Sequence, residues 1–314
     1  MADLTPESNL LALLKLLADD DPQIVETARA KLIELGAQAI PYLERASKSH
    51  EDAAVRVEAG KILREVQLSS LLTEWGGLSA LPDEQIDLET GVFLLARVSY
   101  PNIDAQIYQR RLDEMAEKVR SNLKPAGKLR ANLGVLNDYL FKREGFRGNW
   151  DDYFDPQNSF LNRVMDRKLG IPISLSVLYM LLAHRLKLPI KGVGIPGHFM
   201  LKYEMDGGEM YLDTFNEGRF LTRAECIQFV VEAGYPYQAE FMNGVTNREI
   251  LARMLRNLIL IYVDRQDELL EKVFTRFLSE LTPNEDFEGF TDDDDEEEED
   301  EDEFDEPGEE GEPS

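Results

Sequence analysis

The stretch "LGIPISLSVLY" (Leu169–Tyr179) decides how the chain is read. Gly170 and Pro172 turn a loop sharply into a helix, with proline in the first turn, where its missing N–H costs nothing. The apolar run after them reads as a buried helix ending near Lys187. The first polar side chain it presents is Ser174. That hydroxyl is either a helix-start group satisfying a backbone donor or the occupant of a nucleophile's seat.

Downstream, "IKGVGIPGHFMLKYEM" (Ile190–Met205) and "GEMYLDTF" (Gly208–Phe215) are rich in β-formers and flank Asp206-Gly207-Gly208, a hairpin signal. With Asp206-Gly207 as a two-residue turn, His198 faces Phe215 and lies diagonal to Asp213 on the same sheet face. A different loop length shifts that register. Ser174 on a helix, His198 on one strand and Asp213 on the next then form the parts of a nucleophile, a base and an orienting carboxylate. The bland alternatives are a helix-start serine and a satisfied strand histidine with its partner. His184, in "LYMLLAHRLKL", reads as structural, and Cys226, in "TRAECIQFVVEAG", as a buried thiol.

Upstream of the quoted stretch, a glycine- and aromatic-rich loop, "GFRGNWDDYFDPQNS", leads to a short helix, "FLNRVMDRKLG". Asn158, Asn162 and Asp166 in this segment either hold loop and caps or line a cleft, and Asn216 either holds the turn "NEG" or points into that cleft. Three amphipathic segments between Leu81 and Phe146 read as scaffold helices. In the first 70 or so residues, "IVETARAKL" aligns with "VRVEAGKIL" about 31 residues later, each after an acidic cluster suited to a helix start. The pattern is similar to HEAT repeats. Two such units are too few to stand alone, so they are expected to pack on the second domain, as a partner-binding surface or as a cap.

Composition bounds the function. The chain has 314 residues, 43% of them hydrophobic, enough for two domains. The net charge is −27, and Asp292 to Ser314 holds about 17 acidic residues and no basic one. That tail is expected to be disordered. Nucleic acid is disfavoured as a partner because both body and tail carry the wrong sign. The N-terminus lacks the basic start of a signal peptide, and the longest apolar run, Ile171 to Ala183, is too short to span a bilayer. A cytoplasmic location without membrane contact is the expectation. One cysteine and three histidines leave no basis for a disulfide, a multi-cysteine metal site or a histidine-rich one, so neither metal nor cofactor is expected.

The segments "NWDDYFDPQNSFLNRVMDRKLGIPISLSVLY", "GIPGHFML" and "LDTFNEGRFLTRAEC" together resemble the SirB family of transglutaminase-like proteins, over about Leu81 to Leu281. The resemblance implies an α+β, mostly helical fold: a papain-like core of a helix and a small antiparallel sheet, followed by tetratricopeptide-like helices. The expected organisation is HEAT-like helices over 1–75, the transglutaminase-like domain over 81–245, a helical segment over 246–282 and an acidic tail over 283–314. In the wider superfamily a Cys, a His and an Asp sit on the three core elements, which would place Ser174 where the thiol belongs, with His198 and Asp213 as its partners. A hydroxyl beside an imidazole ionises far less readily than a thiol. The resemblance therefore implies a bacterial-type pseudoenzyme, binding a peptide or protein as a regulator or scaffold. The rival is a Ser-dependent amide hydrolase or acyltransferase. The oligomeric state is left open.

Overall fold

The computed structural model describes residues 6–124, 128–205 and 208–283. The acidic tail and the Asp206-Gly207 turn of the sequence reading lie outside the described residues. Four helices come first: α1 (Pro6–Leu16), α2 (Pro22–Leu35), α3 (Ile40–Ser49) and α4 (Ala53–Ser79). The starts of α2 and α4 are set alike, by Asp21 and Asp52, whose carboxylates accept from Gln23 N and Ala54 N. Arg29 on α2 ties the pair together by ion pairs to Glu58 and Glu65 on α4. Leu14, Leu32, Leu43, Val55 and Ile62 lie in a separate small core between these helices.

The expected boundary near residue 75 falls inside α4, which is continuous to Ser79. The reason is burial: Leu71, Trp75 and Leu78 at its C-terminal end belong to the main core. Trp75 stacks on Phe277 at 4.5 Å between ring centroids, and its Nε1–H donates to Phe277 O at 2.9 Å. A single long helix thus serves both cores, and the described residues belong to one compact unit.

Helices α5 (Leu88–Ser99), α6 (Ala105–Arg120) and α7 (Leu129–Asn137) come next, and α7 widens into a π-turn over Asp138–Arg143. Strand β1 (Arg147–Gly148), helix α8 (Leu161–Arg167) and strand β2 (Leu169–Gly170) lead into helix α9 (Pro172–Arg185). β1 and β2 pair in parallel, which carries the loop after β1 past the start of α9. From Pro172 to Ala183 only Met180 is not fully buried, as expected for a helix that is apolar all round. His184, expected to be structural, lies exposed near the end of α9.

The sheet has four antiparallel strands in sequence order: β3 (Lys191–Ile195), β4 (His198–Met205), β5 (Gly208–Asp213) and β6 (Arg219–Leu221). The long β segment of the sequence reading is therefore two strands, folded back at Pro196-Gly197 with Ile195 opposite His198. Proline presets the first turn position and Gly197, at φ +67°, supplies the second, where a side chain would be strained. β4 and β5 pair with Leu201 opposite Leu212, the register that an Asp206-Gly207 turn requires. Phe199, Leu201, Tyr203 and Leu212 face the main core with α9. The alternate residues Met200 and Tyr211 face a second core with Cys226 and Val230 of α10 (Arg223–Glu232).

Helices α11 (Asn247–Asp264) and α12 (Glu268–Leu281) close the fold as a packed pair. Arg248 gathers the backbone at three places, donating to Ser79 O, Leu81 O and Leu281 O while its Nε meets Asp83. Two of those carbonyls belong to helix ends, where no intrahelical donor reaches them.

Candidate functional site

β4 and β5 bring the imidazole and the carboxylate together. His198 Nε2 lies 3.0 Å from Asp213 Oδ1, with both side chains almost wholly buried. The contact is close but poorly aligned: Nε2 makes no hydrogen bond of good geometry among the described residues. Asp213 is held from its other side. Its Oδ1 accepts from Phe215 N at 3.0 Å and Asn216 N at 3.2 Å, and its Oδ2 from Asn216 Nδ2 at 2.6 Å. Burial alone would raise the carboxyl's pKa, but His198 and the Asn216 donors outweigh it and hold the group below the ordinary carboxylate range.

Ser174 is in the first turn of α9, and among the described residues its hydroxyl makes no hydrogen bond to this pair. Its Oγ–H donates to Asn158 O at 2.5 Å, its Oγ accepts from Ile171 N at 3.0 Å, and Ile171 O lies at 3.2 Å. The hydroxyl is a cap for the helix start and a strut to the preceding loop, and the residue is only 1% exposed. Strand alternation explains the separation. Residues 199, 201 and 203 turn toward α9, whereas His198 shares the phase of Met200 and packs its ring 5.1 Å from Phe229 on α10.

Asn158 is fully buried and works inward. Its Nδ2 donates to Asp152 O and Tyr153 O, and its Oδ1 accepts from Asn149 Nδ2. It shapes the loop that presents Trp150, Tyr153 and Phe154. Asn162 is buried on α8, and its Oδ1 lacks a partner among the described residues. Asp166 points instead to α6, accepting from Tyr108 Oη at 2.9 Å and Arg111 Nη1 at 2.7 Å. Asn216 is exposed and orients Asp213. Cys226 is wholly buried, and burial followed by the charges of Glu225, Asp213 and Glu209 pushes its thiol up to about 12.

Three features escaped the sequence reading. Ser176 and Thr214, both wholly buried, share a hydrogen bond at 2.8 Å that pins the end of β5 to α9. Arg253 on α11 donates through Nη2 to Ile195 O at 2.8 Å and His198 O at 3.0 Å, fixing the turn that carries the histidine. An aromatic cluster surrounds the pair: Phe215 lies 6.3 Å from His198, 4.4 Å from Trp150 and 5.9 Å from Tyr153. Gly148 is what lets Phe215 approach, since a Cβ there would sit 2.5 Å from its ring. The only local signal for this cluster is the density of aromatic residues in "NWDDYFDP", which says nothing about where they point.

Helix, hairpin and His–Asp pair in this arrangement coincide with a matched domain. Residues 106–256, from α6 into α11, match the model of the transglutaminase-like superfamily. A UPF0162 protein of Xylella fastidiosa (strain Temecula1) is 37% identical over 209 residues, covering 63% of this chain and 73% of that protein. The chain belongs to the UPF0162 family. The UPF0162 protein PA3419 of Pseudomonas aeruginosa is 31% identical over 155 residues, 48% of this chain and 55% of that protein. Human F-box only protein 21 is 31% identical over 160 residues, 47% of this chain but only 25% of that protein. No solved structure matches significantly. Among the described residues, no helix is long and apolar enough to cross a membrane and no cluster of His, Cys, Asp and Glu could hold a metal ion.

Proposed function

We propose that this chain is a SirB-type transglutaminase-like protein whose His198–Asp213 site binds a peptide or protein segment without catalysing acyl transfer. The observation that carries this reading is the bonding of Ser174. Its proton is already donated to Asn158 O, its lone pairs take Ile171 N–H, and among the described residues no base is hydrogen-bonded to it. Nucleophilic attack needs a hydroxyl bonded to a base, not to a carbonyl. Cys226 offers no substitute, since it is buried against Met200 with Sγ to Sδ at 3.6 Å and its thiol is held protonated. What the site offers instead is aromatic surface: Trp150 is 68% exposed and Phe154 is 70% exposed. Exposed aromatic clusters are characteristic of protein recognition. In this reading the HEAT-like helices add a second contact surface, and the protein acts in the cytoplasm as a regulator or scaffold.

The test is exposure of the purified protein to a broad fluorophosphonate probe, with the labelled residue mapped by mass spectrometry. The expected result is no label on Ser174. Stoichiometric labelling of Ser174 that disappears in His198→Ala would overturn the reading in favour of a Ser-dependent amide hydrolase or acyltransferase.

A further inference from the structure

Arg253 carries a charge that the fold does not neutralise. Its Nη2 is committed to two carbonyls, Ile195 O and His198 O, and its guanidinium lies 5.9 Å from the centre of the Phe199 ring. Among the described residues no carboxylate pairs with it. Burial pushes its pKa below the ordinary guanidinium range, and the nearby charge of Arg256 acts in the same direction. Half-buried arginines of this kind are ordinarily matched by an acid. Elsewhere in this protein they are: Arg185 meets Glu89 and Asp113, and Arg167 meets Asp155.

The unmatched cation is joined through His198 to the aromatic cluster. Arg253 donates to His198 O, the His198 ring lies 6.3 Å from Phe215, and Phe215 contacts Trp150 and Tyr153, which stacks edge-on to Phe154 at 5.3 Å. Phe229 borders the histidine from α10. Nε2 of His198, in a side chain only 6% exposed, adds a second polar atom without a well-aligned partner. The half-buried positive charge thus sits behind the histidine that Phe215 and Phe229 border. With Nη2 committed, Arg253 keeps Nη1–H and Nε–H for a side-chain carboxylate to accept from, and the chain on either side of it has rings to lie on.

We infer that the site recognises a peptide segment in which one Asp or Glu, paired with Arg253, is flanked by aromatic or large apolar residues seated on Trp150, Phe154 and Phe229. This rests on the binding function proposed above and specifies its ligand. A run of acidic residues is the wrong ligand, because the net charge of −27 repels it from a distance. A single carboxylate among apolar residues suffers little of that repulsion, which salt screens beyond about 8 Å at physiological ionic strength.

The test is fluorescence anisotropy of the full chain with a fluorescein-labelled peptide Gly-Phe-Asp-Phe-Gly and with its Asn counterpart. The Asp peptide is expected to bind about tenfold more tightly, the scale of one charge-assisted contact. Arg253→Gln should erase that preference. Where this variant melts early, Arg253→Lys keeps the charge but loses the planar donor set, and should reduce the preference. A joint Trp150→Ala and Phe154→Ala variant, altering exposed rings only, should weaken both peptides alike. Equal binding of the two peptides by the wild type overturns the carboxylate inference while the binding function stands. Binding of neither at millimolar concentration also overturns it, and the fluorophosphonate result then judges the proposed function separately. Unchanged affinity in the double aromatic variant would remove the ligand from this surface.

Discussion

Replacing Ser174 by Ala separates a structural hydroxyl from a catalytic one. The substitution removes one bond donated to Asn158 O and one accepted from Ile171 N, and leaves both backbone groups without that partner. Asn158 is wholly buried and Ile171 nearly so, which leaves little room for water to replace the hydroxyl. Each hydrogen bond contributes about 1 kcal/mol net, and an unsatisfied buried group costs about 1–3 kcal/mol, so a loss of about 2–4 kcal/mol is expected once the overlap of the two counts is allowed for. At about 2–4 °C per kcal/mol, the melting temperature should fall by about 4–16 °C. Urea denaturation followed by far-UV circular dichroism, with an unchanged denaturant slope, measures the difference directly. Ser176→Ala is the internal control. It breaks one hydroxyl–hydroxyl bond, and Thr214 keeps Pro172 O at 3.4 Å, so about 1 kcal/mol is expected. A Ser174→Ala protein within about 0.5 kcal/mol of wild type would refute the reasoning, because a serine that costs nothing to remove is not holding the helix start.

Two further outcomes rest on the geometry. Asp213 has a folded pKa below its unfolded value, so its contribution is present above the unfolded carboxylate pKa of about 3.9 and is lost as pH falls through the folded value. Asp213→Asn should therefore destabilise the protein at pH 7 yet flatten the acid limb of its stability profile, and an unchanged limb in pH-dependent urea titrations would mean that the His198 contact does not hold the carboxylate. Trp75→Ala removes the ring stacked on Phe277 and its bond to Phe277 O, and should cost about 3–5 kcal/mol in one cooperative transition; a loss under about 1.5 kcal/mol would show that the first four helices hardly couple to the rest.

What the sequence determined by itself is what neighbours in the chain decide. Asp21 and Asp52 cap helices because a carboxylate reaches a backbone N–H two residues on, whatever the rest of the chain does. Pro172 marks the start of α9 for a similarly local reason. The pairing of Leu201 with Leu212 is the register expected from turn length, because turn length fixes hairpin register, and that register brings His198 toward Asp213. The break at Pro196-Gly197 is equally local, although the sequence reading treats Ile190–Met205 as one β segment.

Tertiary structure decided the rest, and above all what the polar groups do. That Ser174 Oγ–H bonds to Asn158 O depends on a loop sixteen residues away, which the β1–β2 pairing holds in place. Whether residue 75 ends a domain depends on Phe277, two hundred residues on. Arg253 reaches His198 only because α11 packs against the turn between β3 and β4. Caps and turns are set by bonds spanning a few residues, and their residue types reveal them. A hydroxyl, an indole or a guanidinium carries the same chemistry anywhere in the chain, and only the packed fold selects its partner.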